Sequence, residues 1–358
     1  MNSESLQPVH TTSQQRASNF ELCRLISMFY IVVYHLFIHN VEVTGDFYYT
    51  RALTSIFFIG VPVFVMISGY FGIKASVKGF LSLVSQIVFY SLIALLICHF
   101  VFNEPISKGN ICGIIFPVTK TEYWFVSTYM LLYILSPFIN RMINVLTKKQ
   151  FIALLITLLV SVCYWGGLMN GPNSGDRSIM TFLLFYCVGR FIHIYYSTDL
   201  ALPSILKRPW FLYALLILLF FILVSFLPEP FNRGVNVLVS AYNRIGVVIL
   251  SALFILCFQS LKIQRRWINI MAKSTFAVYL IHGNNIVTYH RWVYNVYTNY
   301  ALQLNDLHAR LAFLFGVALI VFFACLLIDQ IRIFLFKYVG VDKSISQIND
   351  LFVRYIKL

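Results

Sequence analysis

Ten long apolar runs divide the chain, at about residues 19–41, 53–72, 79–102, 122–139, 150–168, 179–196, 210–227, 235–258, 268–289 and 310–336. An α-helix rises 1.5 Å per residue, so about 20 apolar residues cross a hydrocarbon core roughly 30 Å thick. The pattern predicts an all-α, polytopic integral membrane protein with about ten transmembrane helices. Residues 1–18 form a polar N-terminal tail, 19–336 the transmembrane domain and 337–358 a C-terminal tail. The first eighteen residues lack the charged start and short apolar core of a signal peptide, so the first run is expected to persist as a helix. No internal repeat and no appended soluble domain is expected.

Polar residues inside the runs change this picture. Asn19–Val41 holds Glu21, Arg24, His35 and His39. Arg24 and His35 are eleven residues apart, close to three helical turns, so they share one face. A charge near the bilayer centre costs on the order of 2.5–3.5 kcal/mol and normally faces a bundle interior or wet cavity. This helix therefore reads as the wall of a site, with Glu21 one turn before Arg24 and able to pair with it. For Arg24 alone, snorkelling from a helix end is the competing reading, and for His35 a structural hydrogen bond.

Further candidates follow along the chain. Ser68 and Gly69 lie near the end of the second run, where small residues serve either close packing or a site. Lys74 and Lys78 follow it. Trp124, with Glu122 and Tyr123, opens the fourth run, as an interface aromatic or a sugar-facing ring. The fifth to seventh runs read as scaffold. Arg244 is expected deep within a continuous helix 235–258, either in a site or as an interhelical lock to backbone carbonyls. His282 is expected at a depth similar to that of His35, so His35, Arg244 and His282 could meet at one level. An aromatic stretch from Thr288 to Tyr300 would meet sugars or lipid headgroups.

Composition narrows the class. With 59% hydrophobic and 11% charged residues, a soluble globular domain is excluded. A formal net charge of +14 invites nucleic acid as a partner, but no basic groove or stacking module accompanies it. Topology accounts for it better. With the N-terminus inside, inner segments hold eighteen Lys and Arg and outer ones seven, and Arg24 and Arg244 complete the 27. That bias predicts cytoplasmic N- and C-termini. The seven cysteines include no C-x-x-C pair, so neither a disulfide framework nor a metal site is expected. The 13 acidic residues are all expected in loops, tails or helix ends, Glu21 and Asp329 at inner ends. With no buried carboxylate to act as base, histidine is the natural candidate.

Four stretches together resemble one family. Arg24, ten residues and His35 resemble the R-X10-H motif of the membrane acyltransferase-3 family. Val63–Phe71 (VFVMISGYF), Tyr123–Pro137 (YWFVSTYMLLYILSP) and Ser274–His282 (STFAVYLIH) resemble three later elements, in order. The resemblance implies a bacterial inner-membrane O-acyltransferase. It would take an acyl group, acetyl foremost, from cytoplasmic acyl-CoA (acetyl-CoA) and place it on a hydroxyl of a lipid-linked or surface glycan. It implies catalytic roles for His35, as base or through an acyl-imidazole, and for Arg24, which would hold the donor or orient His35. Substrate contacts fall to Arg244, His282, Trp124 and Ser68, and donor contacts to Lys74 and Lys78. The family often has arginines in that loop, and lysines offer only point charges. No resident cofactor, metal or nucleic acid is implied.

Two rivals stay open at this stage. A secondary transporter or glycan exporter would also use many spans and buried Arg and His, but commonly shows a midplane acid and paired broken helices. A polysaccharide polymerase would need long outer loops, and those here are short.

Overall fold

The computed structural model describes residues 17–38, 55–116, 123–171, 175–196, 207–226, 237–284 and 299–356. His39, Glu122, Asn285 and the aromatic stretch from Thr288 to Thr298 lie outside them. The described architecture is all-α. Its helices are α1 (Ser18–Ile38), α2 (Gly60–Phe71), α3 (Val77–Phe102), α4 (Lys108–Ile115), α5 (Trp124–Val145) and α6 (Lys148–Leu159). They continue as α7 (Ile179–Tyr196), α8 (Pro209–Phe226), α9 (Ile245–Gln259), α10 (Arg266–Met271), α11 (Thr275–His282), α12 (Leu307–Val339) and α13 (Val341–Ile356). Among the described residues, five helical segments are long and apolar enough to cross a membrane: α1, α3, α6 with its π-helical extension to Leu168, α7 and α12. Large apolar side chains such as Phe100, Phe138, Ile320 and Leu327 point outward. Such a surface suits lipid rather than water.

Local sequence explains the breaks. Pro62 sits in the first turn of α2, where its missing N–H costs nothing. Pro137 lies inside α5 and deprives the Tyr133 carbonyl of its helical donor, but Ser136 Oγ donates to that carbonyl at 2.7 Å. Thr147 and Gln150 form a capping box at the start of α6. Helix α6 then passes into a π-helical segment, Val160–Leu168, that contains Gly166 and Gly167.

Helix α1 packs against α2, α9, α10, α11 and α12, so the helix that carries Arg24 and His35 is central. Contacts at its two ends define the two ends of the bundle. At the Ser18 end, Asn19 Nδ2 donates to Phe258 O at the end of α9, and the Arg265 N–H donates to Ser18 Oγ. At the opposite end, Tyr123 Oη beside α5 donates to Leu280 O in α11.

The tightest helix pair is α2 with α7. A Cβ added at Gly69 would strike the Tyr186 carbonyl, and one added at Gly189 would strike the Met66 carbonyl. The packing reading of Gly69 is therefore the one realised, with Gly189 as its reciprocal partner. Gly189→Ala is expected to destabilise the protein by about 1–3 kcal/mol, the usual cost of overpacking. Thermal denaturation in detergent would show it, and an unchanged midpoint would mean that the helices do not approach this closely.

Two sequence expectations need correction. Asp329 is not at a helix end in contact with water. It is fully buried in α12, where its carboxylate accepts from Tyr90 Oη at 2.7 Å and Arg332 Nε at 2.6 Å. Asp329 is thus a buried carboxylate, as is Glu21 on α1, and both oxygens of Asp329 are engaged, since Arg332 Nη2 reaches the second at 3.2 Å. It locks α3 to α12. The run 268–289 is not one helix: α10, a 3₁₀ turn (Ala272–Ser274) and α11 follow one another, and α11 ends at His282. The C-terminal tail contains a helix of its own. Gly340, with φ of +83°, ends α12, and α13 follows, with Ile345 buried and Asn349 Oδ1 accepting from the Lys78 N–H.

Candidate active site

Two histidines meet at the end of the bundle away from Ser18. His35, near the end of α1, and His282, the last residue of α11, approach with Nδ1 of His35 3.1 Å from Nε2 of His282. The ring centroids lie 5.2 Å apart. His282 Nδ1 sits 2.6 Å from the Val278 carbonyl. A carbonyl only accepts, so in the neutral pair the His282 proton is on Nδ1 and its Nε2 is an acceptor. His35 Nδ1 must then be the donor, which leaves the lone pair of His35 on Nε2. The order of donors is therefore fixed by one backbone carbonyl.

The end of α11 is itself held. Tyr123 Oη donates to Leu280 O at 3.0 Å, and Asn284 Nδ2 donates to Tyr123 Oη. Tyr123 is fully buried and packs on Tyr279. The residue singled out for Trp124's neighbourhood thus orients His282 from across the bundle, a role that sequence reading missed.

An aromatic ladder leads away from His35. Tyr34 packs edge-on against Phe58 at 5.1 Å, Phe58 stacks on Tyr242 at 4.2 Å, and Tyr242 stacks on Trp124 at 5.5 Å. The Arg177 guanidinium lies over the Trp124 ring at 4.7 Å. Asp176 Oδ2 accepts from the Tyr242 N–H, and Thr128 Oγ1 donates to the Arg177 carbonyl. Trp124 is therefore a half-buried rung capped by the Arg177 guanidinium.

Arg244 is placed elsewhere than expected. Helix α9 begins at Ile245, and Arg244 is its N-cap with an extended backbone, φ −104° and ψ 139°. The segment before it is a turn, in which Ser240 and Asn243 favour local bonds over helix. The Arg244 side chain donates from Nη1 to Gly167 O in the π-helical part of α6. A Cβ at Gly167 would strike the Asn243 carbonyl, so glycine is required for this approach. The bond to a backbone carbonyl that the lock reading required is formed. Helices α1 and α11 bring His35 and His282 together, while Arg244 reaches toward α6.

The other end of the bundle gathers Arg24 and Ser68. Arg24 pairs with Glu21 at 3.0 Å, as the spacing implied. Eleven residues at 1.5 Å place Arg24 roughly 16 Å along the axis from His35, which excludes direct contact between them. Ser68 Oγ lies 3.1 Å from Tyr129 Oη, and Arg24 is within electrostatic reach of that tyrosine. Lys74 and Lys78 are exposed on and after the adjoining loop 72–76. The loop is rigidly held: the Ile73 N–H donates to Tyr186 Oη, Asn140 Nδ2 donates to Ile73 O, and Tyr133 Oη bonds both polar backbone groups of Ser76. Of these three holding side chains, Asn140 and Tyr186 lie outside the stretches that carry the family resemblance, and Tyr133 lies within one of them.

The described residues contain no group of three or more His, Cys, Asp or Glu side chains that could hold a metal. All seven cysteines are free thiols. The family model for an acyltransferase domain of the acyltransferase 3 type matches residues 18–329, which is most of the chain. No curated protein and no solved structure matches significantly.

Proposed function

The chain belongs to the acyltransferase 3 family, and we propose that it is an inner-membrane O-acetyltransferase working across the bilayer. It spans the bacterial cytoplasmic membrane ten times, with both termini in the cytoplasm. It draws an acetyl group from cytoplasmic acetyl-CoA and delivers it to a hydroxyl of a lipid-linked or surface glycan. The observation that carries this reading is the relay from the Val278 carbonyl through His282 to His35, which leaves a basic nitrogen on His35 at one end of a helix whose other end bears Arg24.

The chemistry follows from the geometry. His35 Nε2 takes the proton of the acceptor hydroxyl as its oxygen attacks the thioester carbonyl, the C–S bond breaks, and the thiolate recovers the proton from His35. The charge that develops on the His35 ring is shared through Nδ1–H with His282. This is the orienting logic of a base held in one tautomer by a third group. In the two-step alternative, His35 Nε2 attacks the thioester carbonyl, the C–S bond breaks and the CoA thiolate leaves. The acceptor oxygen then attacks the acyl-imidazole, the N–C bond breaks to restore His35, and the hydroxyl proton passes to the thiolate. Arg24 is too far from His35 to orient it and serves the charged end of the donor. A donor anchored there needs a long thin arm to present its thioester at His35, which is the build of the phosphopantetheine arm.

The test separates transfer from transport. Membrane vesicles that contain the protein would receive acetyl-CoA labelled in the acetyl group in one sample and in the adenine in another. Acetyl label in glycan without adenine label is expected. Solute accumulation without acylation would overturn the reading in favour of a transporter.

A further inference from the structure

At the Ser18 end of the bundle, two half-buried basic side chains of α7 each keep a buried nitrogen without a hydrogen bond. Arg190 Nε and His193 Nδ1 are buried and make no hydrogen bond. They are three residues apart and so share a helix face. The Arg190 guanidinium lies against Gly72: a Cβ there would come within 3.3 Å of Nη1. Gly72 has φ of +71°, so glycine both turns the chain out of α2 and leaves the space beside the guanidinium open. His193 meets Tyr70 edge-on at 4.7 Å, and Tyr70 meets Phe20 at 4.3 Å, one turn before Arg24 on α1. Arg24, Arg190 and His193 thus surround the same stretch of α2, next to the rigid loop 72–76 with Lys74. Neither α2, α5 nor α7 contributes an acidic residue. On α1, Glu21 is paired with Arg24.

Buried donors are normally satisfied, and an exception calls for a ligand or a role. A guanidinium beside a preformed glycine turn, with positive charge around it, suits a phosphate group held by forked hydrogen bonds. We propose that Arg190, supported by His193 and Arg24, binds the diphosphate of the acyl-CoA donor. This rests on the acyl-CoA reading above and deepens it. It gives the donor's charged end a forked partner beside the exposed Lys74 and Lys78, which offer point charges. It also places that partner at the end of the bundle opposite the His35–His282 pair, so that the thioester arm runs along α1.

The experiment measures binding to the purified full chain in uncharged detergent, with pyrophosphate, CoA and phosphatidylglycerol as separate probes, for wild type, Arg190→Gln and Arg190→Lys. Loss of a charge-assisted bond predicts affinities for pyrophosphate and CoA weaker by about 10- to 100-fold in Arg190→Gln. Arg190→Lys, which keeps the charge and loses the fork, is expected to fall between, and it carries the test if the glutamine variant does not fold. Equal affinities in the folded variants would overturn the site. Dependence on Arg190 for phosphatidylglycerol alone would overturn it as a donor site and make it a lipid contact. Wild type that binds pyrophosphate through Arg190 but no CoA would uphold the anion site while removing the acyl-CoA reading on which the donor assignment rests.

Discussion

Replacing His35 with alanine is expected to lower acetyl transfer to glycan by about 10²- to 10⁴-fold, the range that a positioned general base contributes. His35 is half-buried at the end of α1, and a methyl group there leaves His282 Nε2 without its 3.1 Å partner. That loss is local and should not unfold the helix, so the purified variant is expected to bind CoA as wild type does. Rates measured in vesicles at saturating acetyl-CoA separate the two effects. A fall in rate with CoA binding retained places His35 at the chemistry. A wild-type rate in His35→Ala would make the pair structural and would remove the relay as the basis of the mechanism. Acid-quenching wild type with labelled acetyl-CoA and no acceptor also distinguishes the two routes. Label on the protein that His35→Ala lacks indicates acyl-imidazole, and its absence indicates direct transfer.

Much of this site was legible in the sequence because the membrane makes polar residues conspicuous. Glu21, Arg24, His35 and His282 stand out from apolar runs, and a helix places residues along its axis with little ambiguity. The i,i+3 pairing of Glu21 with Arg24 and the similar depth of the two histidines therefore survive into the fold. What does not follow from spacing is which faces converge. Arg244 has the same deep position in the sequence pattern, yet the turn at Ser240–Asn243 starts α9 late and sends the guanidinium to the Gly167 carbonyl. Asp329 was misplaced for a related reason: its burial depends on Tyr90, more than two hundred residues away, and on Arg332 one turn on. The fifth to seventh runs read as scaffold because one Arg near a helix end resembles an ordinary inside anchor. Only the approach of Gly72, and the lack of a partner for Arg190 Nε, distinguish it.

The tautomer assignment makes a sharper prediction at His282. Its ring works as an acceptor at Nε2, fixed by the Nδ1–H bond to Val278 O. Leucine at 282 removes that acceptor, so the His35 Nδ1 proton loses its bond to His282 and with it this hold on the tautomer that leaves the lone pair on Nε2. A base left in the wrong tautomer has cost about 10⁴-fold in the Ser-His-Asp triad, and a loss on the order of 10³- to 10⁴-fold is expected for His282→Leu. Glutamine at 282 offers an amide oxygen of similar reach, which accepts from Nδ1–H but carries no ring to share the charge. His282→Gln should therefore retain more activity than His282→Leu and less than wild type. Transfer rates at saturating acetyl-CoA, with the folded state checked by thermal denaturation, test this order. If His282 were itself the base, the glutamine and leucine variants would be equally inactive. If it were only packing, the leucine variant would work as well as wild type. Only the ordered series, glutamine above leucine with both folded, agrees with a ring whose task is to hold the proton on His35 Nδ1 and leave Nε2 basic.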